Sequence, residues 1–244
     1  DTLSRFNGYK DYVHYLKINP YEAYWSDKER LYSLLQEDSE SILHFINGMD
    51  FKSEKTLDFM ISLCRELVYL DKQTLLVAVF NSDFFNKHHF SYSETLHFGN
   101  SVGMLFKTHK LAEKNLLLNA NFLKYVYCIY VDYSNLNGYY GDWCLYVSTT
   151  TTDIQIKCFS LAVLELKKYL NGLPVSYDFF SDVPTLDFHP ILIGRVFSVQ
   201  LLSKKYDTND ITAFFNIIKK SPPENALDYL YEPMIVALIS RNLS

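Results

Sequence analysis

Punctuation is what this chain lacks: eight glycines and seven prolines serve 244 residues. Tight turns draw on those two residue types, so a many-stranded sandwich or barrel would have too few corners here. The alternative is a set of longer elements bounded by side-chain signals, and such signals are present. Ser26–Glu29, Ser91–Glu94, Thr152–Gln155 and Ser221–Glu224 each have the form of a capping box, in which a hydroxyl takes the third backbone amide of a helix and the Glu or Gln reaches back. In the last of these, proline stands at the first helical position, where its missing N–H costs nothing.

Periodicity agrees with these starts. Ile154, Cys158, Phe159, Ala162, Val163, Leu166 and Leu170 form one apolar stripe, and Asn171-Gly172 predicts where that helix stops. Leu57, Ile61, Cys64, Leu67 and Val68 make a second stripe. Leu96, Phe98, Val102, Leu105 and Phe106 make a third. Ile191–Leu202 is apolar nearly all round, which predicts a central helix. Ile211, Phe214, Phe215 and Ile218 predict a short amphipathic helix. Leu227, Leu230, Ile235, Leu238 and Ile239 continue the pattern, with an interruption at Pro233. The most apolar stretch, Asn115–Val131, contains Asn119, Asn121 and Lys124, so it reads as a core helix rather than a membrane span. The expected fold is all-α. Roughly ten to thirteen helices of about 10–20 residues would pack as a bundle or as an irregular, solenoid-like array of antiparallel pairs. No clean repeat of about 34 or 40 residues is visible.

Domain organisation follows from the interruptions. The chain reads as a single helical domain over 1–244, divisible into two packed halves, 1–131 and 141–244. Asp132–Tyr140 (DYSNLNGYY) reads as the loop between them. A second irregular stretch, Gly172–Pro190, holds prolines at 174, 184 and 190. Long connections in compact domains often carry function.

The formal net charge is −5. That sign is wrong for a nucleic-acid binder, which must displace counterions from phosphates, and it suits a basic partner. The excess is local: residues 132–190 carry seven acids against three bases. Within Gly172–Pro190, Asp178, Asp182 and Asp187 face no Lys or Arg in sequence. Cys64, Cys128, Cys144 and Cys158 form no CxxC pair and read as buried free thiols of a reducing compartment. No basic start followed by an apolar run marks a secretory leader, so a cytoplasmic location is expected.

Chemistry-bearing motifs are few. His88-His89 are adjacent, and no HExxH or spaced Cys/His set occurs. The Asp132 loop fails as a calcium loop, because Gly138 is its seventh residue and Trp143 its twelfth. No GxSxG elbow occurs, and Gly99 and Gly103 are not followed by a phosphate-loop lysine. No metal, no cofactor and no catalytic residue is therefore expected. Asp178, Asp182, Asp187 and His189 have three readings: acid/base cluster, partner surface, or turn and helix caps, with Asp187 placed to cap the helix that holds Pro190. Tyr139, Tyr140 and Trp143, beside Asp142, have two: anchors for a protein partner, or plugs in the seam between helical halves.

In size, acidic charge, helical content and lack of a catalytic motif, the chain resembles the helical immunity proteins of bacterial contact-dependent growth inhibition and related polymorphic toxin systems. The resemblance matches no family motif residue by residue and carries over no site residues. It implies a non-enzymatic, cytoplasmic protein that neutralises a cognate toxin, often a basic nuclease domain, and binds neither nucleic acid nor membrane. The surface expected for that contact comprises Asp178, Asp182, Asp187, Asp142, Tyr139, Tyr140 and Trp143, because an inhibitor gains speed and selectivity from an opposite field. Two other readings stand beside it: a helical scaffold that takes a peptide or protein in a groove, and an enzyme whose site is assembled from distant helices.

Overall fold

The computed structural model describes residues 10, 29–49, 54–109, 114–181, 183 and 188–243, and every regular element among them is helical. Ser26, Asp182 and Asp187 lie outside the described residues. A first layer contains α1 (Ser39–Asn47), α2 (Glu54–Tyr69), α3 (Gln73–Phe80), α4 (Asp83–Lys87) and α5 (Tyr92–Gly103), with α2 packed on both α3 and α5. A second contains α7 (Tyr139–Thr150), α8 (Ile154–Leu170), α9 (Pro190–Leu202), α10 (Thr208–Lys220) and α11 (Ala226–Leu243). In it α7 packs on α8, α8 on α9, and α9 on α11. Between the layers runs α6 (Ala120–Phe122), which continues as a π-turn over Leu123–Tyr127.

The capping chemistry explains most boundaries. Ser91 caps α5 with a complete box: the Glu94 amide donates to the Ser91 hydroxyl (3.3 Å), and the Ser91 amide donates to the Glu94 carboxylate (2.7 Å). α8 ends as its sequence predicts, with Gly172 at φ +69° and the Leu173 amide donating to the Lys168 carbonyl. Its start differs by one residue from the expected cap. Asp153, not Thr152, accepts from the Gln155 and Ile156 amides, since a carboxylate is the stronger acceptor at a helix N-terminus.

Other expectations are corrected. Asn115–Val131 is not one helix: a 3₁₀ turn at Lys114–Leu118 breaks at Asn119, whose side chain caps α6. The π-turn then closes with the Cys128 amide donating to the Leu123 carbonyl at 2.9 Å. The Asp132–Tyr140 stretch is a 3₁₀ turn at Tyr133–Asn135, and α7 has already begun at Tyr139. Ser221 ends α10 rather than starting a helix, and Pro233 sits inside an unbroken α11. The cap of α9 is His189, so the cap expected at Asp187 is not used.

The core joins both layers. Phe80, Phe84, Phe98, Phe106 and Phe122 are fully enclosed on one side, and Tyr127, Tyr140, Cys144 and Phe159 on the other. Buried tyrosine hydroxyls are satisfied internally: Tyr140 donates to the Tyr127 carbonyl, and Tyr127 pairs with the Ser160 hydroxyl, each at 2.8 Å. No described helix is long and apolar enough to cross a membrane.

Candidate groove between the helical layers

Two close approaches bring the site together. A Cβ on Gly194 would lie 2.1 Å from the Tyr229 carbonyl oxygen, so α9 and α11 touch backbone to backbone there. Pro233 has no N–H, so it cannot bond that same carbonyl four residues back in its own helix. A freed carbonyl and an absent side chain thus meet at one crossing. One residue beyond Gly194 on α9 is Arg195, and three beyond Tyr229 on α11 is Glu232. The crossing sets their pairing. Gly99 plays a similar part on α5, where a Cβ would fall 2.5 Å from the Tyr125 carbonyl, and the π-turn is pressed against that helix.

These contacts leave a groove of about 1020 Å³ between α5, the π-turn, and the ends of α8, α9 and α11. Its walls are apolar and aromatic, with Leu96, Ile129, Ile156 and Leu192 among Phe90, Tyr125 and Tyr130. Its inner end is polar. Arg195 and Glu232 form a salt bridge at 3.2 Å, with side chains 3% and 1% exposed. Tyr133 donates to Glu232 at 2.5 Å, and the guanidinium lies over the Phe159 ring, 4.5 Å from its centre. Burial alone disfavours the Arg195 cation, but Glu232 beside it more than offsets this and holds its pKa above the ordinary value. Burial first, then Glu232, raises the Tyr133 hydroxyl, so it stays a donor.

The rim mixes charge with rings. Tyr92 of α5 donates to Asp228 of α11 at 2.5 Å and stacks on His189, spanning the mouth. His189 keeps contact with solvent, and its Nδ1 accepts from the Ile191 amide at 3.3 Å. Crowding at the helix end lowers its pKa, against the opposing pull of Asp228. The exposed Asp153 and Lys124 also reach this rim. Cys128 lines the wall, and burial pushes its thiol far above the range where a thiolate forms at neutral pH. Among the described residues, no three His, Cys, Asp or Glu side chains converge as a metal site.

No protein-family model, no curated protein and no solved structure matches this chain.

The sequence-derived site residues fall elsewhere. Tyr140 is 1% exposed and Trp143 9%, so these two are not surface anchors. With the half-buried Tyr139 they form a ring cluster against Phe106, Phe122 and Tyr127, the seam-filling alternative for those residues. Tyr139 also donates to Asp132 at 2.9 Å. Asp142 is exposed in the first turn of α7. Asp178 is exposed but already paired: Lys205, then the Ser176 hydroxyl, hold its carboxyl below the usual range. Arg195, Glu232, Tyr133, Tyr92 and Asp228 were not singled out from sequence. One signal could have found the first of them. Arg195 is the lone charge inside the otherwise apolar Ile191–Leu202, and a charge there needs a partner.

Proposed function

We propose that this chain is a non-catalytic binding protein that docks a basic protein domain on the face formed by the groove rim and α11. The carrying observation is an unpartnered apolar stripe. Leu227, Tyr231, Met234 and Leu238 are 72%, 52%, 54% and 61% exposed. Their spacing, i, i+4, i+7, i+11, puts them on one helix face. A contiguous apolar patch of this kind marks an interaction surface, and tyrosine is favoured as an anchor there. The rim beside it supplies charge complementarity, since Asp153 and Asp228 face the single ammonium of Lys124. With a net charge of −5, this favours a partner of opposite sign. The biological form proposed is neutralisation of a bacterial toxin domain in the cytoplasm, with Asp142 contributing to the field.

The test uses the toxin-like domain encoded by the reading frame next to this gene, purified and titrated against the chain by calorimetry at low and high salt. The double variant Leu227→Ser/Tyr231→Ser is expected to weaken binding by about a hundredfold, as for removal of two anchors. Asp142→Lys is expected to slow association and flatten its salt dependence, while Asp178→Lys, already screened by Lys205, changes little. Undiminished affinity in the double variant sinks the docking face, and absence of binding to the neighbouring domain sinks the toxin assignment.

A further inference from the structure

We propose that the inner end of the groove is a binding site for a small apolar or aromatic molecule carrying a neutral amide-type head, one carbonyl oxygen beside one N–H. This site is separate from the protein-docking face and does not depend on it. The argument starts from unmet hydrogen bonds. Arg195 spends Nη2 on Glu232 (3.2 Å) and the Tyr133 hydroxyl (3.4 Å), but its Nε and Nη1 have no partner and are shut off from solvent. Glu232 accepts twice on Oε2 and has nothing on Oε1, which is equally enclosed. Buried ion pairs persist when their remaining donors and acceptors are met. Here both kinds are left over on residues that form or adjoin the cavity wall.

That pairing selects the ligand. Unmet donors call for an acceptor oxygen, and an unmet carboxylate oxygen calls for a donor. An amide supplies both. The Arg195–Glu232 pair is already neutral as a unit, so a carboxylate ligand would leave a net negative charge in the interior, and an ammonium a net positive one. The remaining walls, from Leu96, Ile129 and Leu192 to Phe159, ask for an apolar or aromatic body. Side-chain exposures of 3% and 1% at the floor exclude a flat protein surface and admit only a slender molecule.

Three probes of one shape separate the possibilities: 2-naphthamide, 2-naphthoate and 2-methylnaphthalene, each titrated against the full chain by ligand-observed NMR. The amide is expected to bind at least about tenfold tighter than the hydrocarbon and than the carboxylate, the scale set by filling otherwise unpaired buried groups. Leu96→Trp, which plugs the opposite wall, is expected to abolish binding. Glu232→Gln and Arg195→Lys, checked for folding by circular dichroism, are expected to erase the preference for the amide over the hydrocarbon. Equal affinity for amide and hydrocarbon on the native chain overturns the proposal, and means that water alone fills the polar end. Tighter binding of the carboxylate overturns the neutral-head assignment. Binding that survives Leu96→Trp places the probe elsewhere and also overturns it. The first and last readouts need no change at the ion pair, so they stand even if its variants unfold.

Discussion

Arg195 and Glu232 are enclosed together, and removing either leaves the other charged and alone. Arg195→Met is expected to cost about 3–5 kcal/mol, while Arg195→Met with Glu232→Met costs less than either single change. Thermal melts read this directly, at about 2–4 °C per kcal/mol for a chain of this size. Additive losses would contradict a coupled pair. His189 offers a second residue-scale test. Its Nδ1 must be unprotonated to accept from Ile191, and its pKa in the fold lies below the ordinary value of 6.5. The unfolded chain therefore takes up the proton first, so the stability that His189 contributes is full above pH 6.5 and drains away as pH falls below it. His189→Asn keeps a cap acceptor without titrating. The pH slope of the melting temperature between 6.5 and 5 should shrink in that variant, and an unchanged slope would assign it to other groups. At this scale the sequence was legible only in part. His189 stood out for its acidic neighbours, yet the partners it meets, Tyr92 and Asp228, are remote in the chain. Tyr140 and Trp143 were read with two alternatives because composition cannot say which face of α7 turns inward.

Helices were far more legible than side-chain clusters, since caps and stripes act within a few residues. The Ser91 box and the Gly172 stop of α8 follow from local chemistry. Where local reading failed, a tertiary contact had overridden it. Pro233 was expected to interrupt the last helix, but its missing bond leaves the Tyr229 carbonyl to rest against Gly194, and α9 covers the fault. Asn115–Val131 was expected to be one regular helix, but its Asn119 side chain caps α6 and donates to Asn81 at 2.8 Å. Gly194→Ala tests the crossing. The added methyl meets backbone, which cannot rotate aside, so a loss of about 1–3 kcal/mol or more is expected. Gly138→Ala is the matched control, because its nearest neighbours would sit at an ordinary 3.6 Å. Equal melting temperatures for the two variants would show that α9 and α11 can separate freely.

For the molecule as a whole, the low glycine and proline content specified the class of fold, whereas the groove depends on how two layers meet, which no window of sequence contains. Thiol chemistry reports on that meeting. Cys64, Cys144 and Cys158 are completely enclosed, and burial pushes their thiols up to about 12, 12 and 11. Cys128 alone is half-buried, on the groove wall. A disulfide reagent should therefore find at most one thiol in the native protein, react slowly, and be blocked by a groove-bound molecule, whereas denaturant should release all four. Two or more fast thiols would mean the layers are looser than the packing implies.

The bonds that shape the groove span long stretches of chain: Tyr92 reaches Asp228 and Tyr133 reaches Glu232. Every contribution from α11, including Leu227 and Tyr231, emerges from the ribosome after the walls it completes. During synthesis the earlier helices can assemble while the guanidinium of Arg195 still lacks its counter-charge. Competence to bind thus arrives in one late step, when α11 docks, and a nascent chain that stalls before it carries an open, sticky cleft, a natural target for chaperones.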